Sequence, residues 1–470
     1  MSCEEKTLEK LHNTSMRLLE EVGLAFHSES SLDLLKSAGF RVDGNRAFFT
    51  ENQVMDAVQA AKKDFIVYAR NPKYNVHMNT ENTYVTPGYG SPSVAELDGT
   101  IRAATFDDFL KLANIVQVSD VFSINGGILA QPSDISEKVA AEAMVYATLV
   151  RSDKALFSVC GGGLQARRIM DMLRIVFGDL QDKPYSLNLI SPQSPMSVPT
   201  NALETIDVCG ALGQPLLIGP GPMAGGTGPI ALAGNTVICN AEALGTNVYA
   251  QLVHPGTPVI YTHAATVSDM KDMNVSNACP GFLKQARWGL RLAKMYGFPA
   301  RSAGGMSNAG GLTAQAGVES AMSLFHAFAN KANCVMHATG SLHSFGTVSF
   351  EKFILDIETI DRLRYYLSDL AVDEDSLSFD TIRETVEEGE LFMVAEQTLE
   401  RCHTEPWQRM VSLHGKSNGE PNAELYASIQ KKMAEMLEGY QKPDMDPGIK
   451  AELDAYLRSI GMEEADIARV

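Results

Sequence analysis

Between residues 216 and 261 apolar runs and glycine-proline breaks follow one another in a fixed order. Leu216–Ile218 is an apolar run that stops at Gly219-Pro220-Gly221-Pro222, where proline removes the N–H a ladder strand needs. Residues 230–253 then read as a helix that is apolar on nearly every face, broken by Pro255-Gly256 before a second short strand at 259–261. Elements this apolar all round belong to a parallel sheet covered by helices.

The same alternation runs along much of the chain. Strands are predicted at 84–86, 122–125, 155–159, 185–190, 216–218, 259–261, 300–304 and 334–338. Helices follow them at 106–116, 137–149, 166–177, 202–212, 230–253, 282–296, 314–329 and 350–367. Eight such units predict an α/β fold, a (β/α)8 TIM barrel over residues 81–367. An open doubly wound sheet with a miscounted strand is the alternative. Residues 1–80 carry helical patterns at 7–22 and 51–61 and an alternating hairpin at 65–78, an N-terminal helical cap outside the barrel. Residues 368–470 are acidic and helix-forming, a C-terminal helical extension suited to subunit contacts and hence a homo-oligomer.

Charge and cysteine content narrow the chemistry. The 57 acidic against 39 basic residues leave a net charge of -18, so nucleic acid is not an expected partner. No apolar run reaches membrane-spanning length and MSCEEKTLEK has no signal-peptide profile, so the expected place is the cytoplasm and not a membrane. Seven cysteines without paired spacing read as reduced thiols, with Cys160, Cys209, Cys239, Cys279 and Cys334 in apolar, packing contexts.

A barrel's chemistry sits at the C-terminal ends of its strands. Those ends offer Tyr89, Asn125, Gln193, Met223, His263, Met306, Ser307 and the segment 337–345. No lysine ends a strand, which removes Schiff-base chemistry, and the shortage of basic side chains disfavours phosphate ligands. Residues 219–224 fit a loose G-x-G-x-x-A, but Pro222 lacks the N–H of a pyrophosphate cradle. His337-Ala338-Thr339-Gly340 has the H-x-x-G spacing of modules that give a histidine to cobalt, yet Val335 stands where those carry aspartate. No H-x-x-x-H or C-x-x-C pair supports a metal site.

The segments AGGTGPIALAG (224–234), NAE (240–242), QLVHPGTPVIY (251–261) and GGMSNAGGLTAQAG (304–317) closely resemble the trimethylamine methyltransferase family, corrinoid-dependent enzymes on a (β/α)8 barrel. The resemblance extends over nearly the whole chain. In the trimethylamine enzymes the last of these segments carries pyrrolysine near what are here Gly310 and Gly311. Glycine at both positions is similar to the non-pyrrolysine branch, whose members demethylate quaternary amines such as glycine betaine, proline betaine and carnitine. The resemblance implies a methyl acceptor, Co(I), on a separate corrinoid protein, with no cofactor bound tightly by this chain.

Under that resemblance the donor is a permanent cation, which aromatic faces hold at about 0.5–2 kcal/mol each. Tyr89, Tyr261 and Phe345 are the cage candidates; Tyr261 also reads as a core aromatic, and Phe345 as packing for the last helix. A betaine carboxylate wants donors, for which His343, His337, His263, Gln193, Gln315 and Arg301 are placed, Arg301 reading equally as half of a buried ion pair. Asp356 and Glu358 read as solvated or capping. No catalytic residue is assigned. A quaternary-amine sensor without catalysis and a C–N lyase on the same barrel are the competing readings.

Overall fold

The computed structural model describes residues 2–159, 161–181, 183–415 and 419–470, so Cys160 lies outside the described residues. Eight strands form one parallel sheet: β1 (Tyr84–Val85), β2 (Ile124–Gly126), β3 (Ala155–Phe157), β4 (Ser186–Ile190), β5 (Leu216–Ile218), β6 (Val259–Thr262), β7 (Ala300–Ala303) and β8 (Cys334–Met336). Around the sheet β1 pairs with β8, and the ladder runs back through β7, β6, β5, β4 and β3 to β2. Helices α1 (Phe106–Val118), α2 (Ala140–Arg151), α3 (Gly163–Phe177), α4 (Thr200–Gly210), α5 (Leu232–Val253), α6 (Pro280–Tyr296), α7 (Ala314–Ala329) and α8 (Phe350–Leu367) follow the strands in turn. Side-chain caps on Thr105, Thr313 and Ser349 open α1, α7 and α8, each oxygen accepting an otherwise orphaned N–H. This is the eight-unit barrel the alternation predicts.

The barrel has one seam, because β1 and β2 share no ladder. Above it Gly90 N donates to Ile128 O at 2.6 Å and Gln131 N to Ser91 O at 2.8 Å. The Tyr89 ring lies against the seam so closely that a Cβ on Gly127 (φ +73°) would stand 2.6 Å from Tyr89 Cδ2. Only glycine fits there. Inward side chains Ile124, Phe157, Leu187, Leu217, Ile260, Cys334 and Met336 fill the barrel. Phe65, Val67, Val76 and Met78 of the 65–78 hairpin join that cluster and stopper it from outside the sheet.

Helix α5 is apolar on every side because it is covered on every side. Its inner face meets the barrel, and helices Cys3–Glu21 and Glu51–Ala60 pack over its outer face. A Cβ on Gly245 would sit 2.8 Å from Leu24, so glycine sets how closely the cap approaches. The cap also holds a helix at Glu29–Ser37 and a small sheet of Leu24–Phe26, Arg41–Asp43 and Arg46–Phe48, which the sequence pattern missed; Ser197–Val198, from the loop after β4, joins it.

At the other terminus the chain returns along the barrel. Glu358 is buried and accepts from Met410 N at 2.8 Å and Ser412 N at 3.0 Å, clamping the returning strand to α8. Asp356 is buried too, so both carboxylates are structural groups and not the solvated or capping residues expected. Two residues apart on α8 they face opposite ways, Asp356 toward Lys352 and Gly340 and Glu358 toward the returning chain, and both faces are covered, so backbone and ammonium partners satisfy them. Cys209, Cys239 and Cys334 are buried, Cys279 is partly buried, and all four are free thiols. Among the described residues no helix is long and apolar enough to cross a membrane.

Candidate functional site

Two small sheets rim the C-terminal end of the barrel. Ser93–Ala95 and Ile101–Ala103, after β1, pair with Ser341–Leu342 and Thr347–Val348, after β8. Met223–Ala224, after β5, pairs with Thr266–Ser268 and Val275–Ser276, after β6. The rims bring together residues far apart in sequence. Tyr89 packs edge-on against Phe157 (centroids 5.4 Å apart) and edge-on against His337 (6.1 Å), and His337 stacks on Phe345 (5.9 Å). Three of the expected site residues thus form one continuous row of rings at the mouth. Phe345, at 40% exposure, is its open end.

The Phe345 end is held in an uncommon shape. His343, Ser344 and Phe345 take φ of 48°, 53° and 69°, three consecutive non-glycine residues in the left-handed region. Neighbouring loops compensate. His343 N donates to Ala309 O at 3.1 Å, Ser344 N to Ser307 O at 2.9 Å and Ser91 Oγ to Phe345 O at 3.0 Å. Asn308 ties three loops together: its Oδ1 accepts from Asn277 N at 3.0 Å and Ser344 Oγ at 2.7 Å, and its Nδ2 donates to Ser276 Oγ at 2.9 Å. Beneath them Lys352 Nζ donates to Gly305 O at 2.8 Å and to Asp356 Oδ2 at 2.6 Å, and that carboxylate accepts from Gly340 N at 2.8 Å. Burial raises the Asp356 carboxyl against the pull of Lys352. Beside the turn lies a cavity of about 500 Å³ lined by Asp269, Asn274, Ser276, Asn308, His343 and Phe345.

Below the rings the barrel interior turns polar. Thr262 and Arg301 are register partners on β6 and β7, and Arg301 is register partner to Cys334 on β8. Cys334 faces inward, so Thr262 and Arg301 do as well. Arg301 is 7% exposed and has no hydrogen bond or ion pair to any described residue; its Nε is buried and unpartnered. Thr262 Oγ1 and His337 Nδ1 are likewise buried without partners. Burial pulls the guanidinium down to about 10, so it remains charged at neutral pH. Burial, and then the Arg301 charge, holds the His337 imidazole down to about 3, hence neutral.

Tyr261 is not in the row. It points outward from β6, its hydroxyl donates to Asn240 Oδ1 at 2.9 Å and its ring stacks on Phe298, so it is a core aromatic and not a cage wall. Its inward neighbour on the strand is Ile260. His263, also outward, packs against α6 so tightly that a Cβ on Gly289 would stand 2.2 Å from its own Cβ. Gln193 is exposed on the loop after β4, where its backbone N–H donates to Ser197 O. Gln315, on α7, donates to Glu319 Oε1 at 2.9 Å.

Residues 2–462 match the sequence pattern of the family described as trimethylamine methyltransferase. The chain belongs to the trimethylamine methyltransferase family. It is 32% identical over 464 residues to a glycine betaine methyltransferase of Desulfitobacterium hafniense (strain Y51), with 98% of this chain and 97% of that protein covered. It is 27% identical over 473 residues to a proline betaine:corrinoid methyltransferase of Eubacterium limosum, with 96% of each covered. The monomethylamine methyltransferase of Methanosarcina barkeri, at a TM-score of 0.56 and 12% identity over 94% of this chain and 89% of that one, shares the fold. Within this member of the trimethylamine methyltransferase family, Gly310 and Gly311 sit on the loop after β7. A Cβ at Gly310 would lie 3.1 Å from His343 Nε2, and one at Gly311 would meet nothing within 4 Å.

Proposed function

We propose that this methyltransferase moves a methyl group from a quaternary amine of the betaine type to Co(I) of a corrinoid held by a separate protein. The observation that carries the reading is the row Tyr89–His337–Phe345 at the mouth, an aromatic surface whose imidazole is neutral. Its family membership and its similarity to a glycine betaine enzyme support the same donor class. Aromatic faces attract a cation that cannot donate a hydrogen bond. The Co(I) electron pair forms the bond to the methyl carbon as the C–N bond breaks, and the nitrogen keeps its pair. The leaving group is a neutral tertiary amine and no proton moves. A general acid is therefore unnecessary, and the residues of the row act by holding the methyl in line and displacing water. Gly311 leaves open the space in which a side chain would start.

The chain is also proposed to work as a homo-oligomer, through the segment after α8, an arm that leaves Leu370, Phe379 and Leu391 exposed. Mixing the protein with a cognate corrinoid protein reduced to Co(I), and adding glycine betaine, proline betaine, carnitine and trimethylamine one at a time, tests the reaction. Loss of the Co(I) absorption with one betaine but not with trimethylamine is the expected result. No conversion with any quaternary amine sinks the proposal.

A further inference from the structure

Resting on that donor class, we infer that Arg301, Thr262 and His337 form a subsite for the donor's carboxylate inside the barrel, beneath the aromatic row. The orphaned groups point to it. A buried guanidinium is costly unless a counter-anion and hydrogen-bond acceptors meet it, and no described residue supplies one. The groups whose charge bears on Arg301 are the thiols of Cys334 and Cys239, both pushed up by burial and hence neutral at physiological pH. Thr262 Oγ1 can donate one hydrogen bond from the adjacent strand, and the His337 ring, whose N–H goes to the Tyr89 backbone, lines the space as a neutral group. A carboxylate is acceptor-only and planar, which matches a guanidinium fork with a neutral donor beside it.

The subsite fixes the direction of the donor. With the carboxylate on Arg301, the ammonium lies toward Tyr89, His337 and Phe345, and a methyl faces the open mouth. The reverse placement sets a fixed cation beside the Arg301 charge. The carboxylate also cancels that charge next to the ammonium, so quaternary amines lacking one bind against repulsion. Selectivity for betaines over choline or tetramethylammonium follows from one residue on β7.

The test uses 3,3-dimethylbutanoate, which has the shape and carboxylate of glycine betaine with carbon in place of the cationic nitrogen. Its protection against thermal unfolding is measured on the wild-type chain and on Arg301→Gln. The wild type is expected to be stabilised. The variant is expected to unfold at a higher temperature than the wild type without ligand, because an unpaired buried charge is gone, and to bind dimethylbutanoate about 100-fold more weakly. In the methyl-transfer assay the variant's KM for glycine betaine is expected to rise by a similar factor, while tetramethylammonium binding is unchanged or tighter. Equal dimethylbutanoate binding in both proteins, or none in the wild type, overturns the subsite, as does loss of tetramethylammonium binding in the variant. The dimethylbutanoate arm is independent of turnover. A wild type that binds it but transfers no methyl group loses the proposed reaction and keeps the subsite.

Discussion

Glu242 on α5 is wholly buried, accepting from Ser194 Oγ at 2.7 Å and Met196 N at 2.6 Å where the loop after β4 crosses the helix. Burial raises its carboxyl from 4.5 to about 7. The folded state therefore binds this proton more tightly than the unfolded chain does. The group's contribution to stability is full below pH 4.5 and is lost as pH rises to about 7, a difference of about 3 kcal/mol. In Glu242→Gln the amide can donate to Ser194 and its oxygen can accept from Met196. Thermal unfolding of the variant at pH 8 is expected to match or exceed the wild type, with a flatter profile between pH 5 and 8; an unchanged profile refutes the assignment. His263, His326 and His337 work the opposite way, held down by burial to about 4, 4 and 3. Their stability is present above pH 6.5 and is lost as pH falls through those values, so they weaken the fold on the acid side together with carboxyls that lie below their usual range, such as Asp108 and Glu358. In the row itself, Phe345→Leu removes one aromatic face at the open end. A rise in KM of about 2- to 30-fold with kcat little changed is expected in the Co(I) assay, and an equal fall in kcat argues against a purely binding role.

At the scale of elements the loops after β6, β7 and β8 behave as one unit, because Asn308, on the loop after β7, is bonded to the other two. Asn308→Ala leaves the Asn277 N–H and the Ser344 hydroxyl without that acceptor and frees the left-handed turn that presents Phe345. The cost expected is about 1–3 kcal/mol in thermal or denaturant unfolding, with a raised donor KM. A variant whose stability and KM both match the wild type shows that the turn holds itself. The strands and helices that carry these loops were legible in the sequence, since a parallel barrel writes a long alternation of short apolar runs and amphipathic helices. Helices 314–329 and 350–367 fall at their predicted bounds. Facing was not legible. Val259, Ile260 and Tyr261 are apolar on both sides of the sheet, so the strand gives no parity, and Tyr261 turned out to face α5. Arg301 held a readable signal, a charged residue inside an apolar strand, but its lack of a partner is a fact of three dimensions. Tyr89, His337 and Phe345 were readable as strand-end residues. Their stacking depends on the seam between β1 and β2, which no local pattern encodes.

For the whole molecule the segment after α8 is decisive. Helix α8 runs from the mouth to the opposite end of the barrel, so the chain beyond Leu367 starts on the face away from the donor site. Helices Phe379–Glu388 and Glu396–Arg401 follow, yet Thr385 is the only buried residue between 368 and 400. Leu370, Phe379, Val386, Leu391, Met393 and Leu399 are each at least 66% exposed. On the barrel beside the arm's start, Phe325 of α7 is 44% exposed and meets Tyr366 at 6.4 Å. Monomers rarely carry so much contiguous apolar surface. Under the proposed reaction cobalt reaches the mouth at the other end, which leaves this surface free of the corrinoid protein. A second copy can cover it, each arm lying on its partner's α7 and α8. Light scattering at micromolar concentration is expected to give a multiple of 51.0 kDa for the wild type. Phe379→Asp combined with Val386→Asp is expected to give the monomer, with methyl transfer per site retained because the mouth is untouched. A monomeric wild type, or a double variant that still associates, removes the arm as the interface.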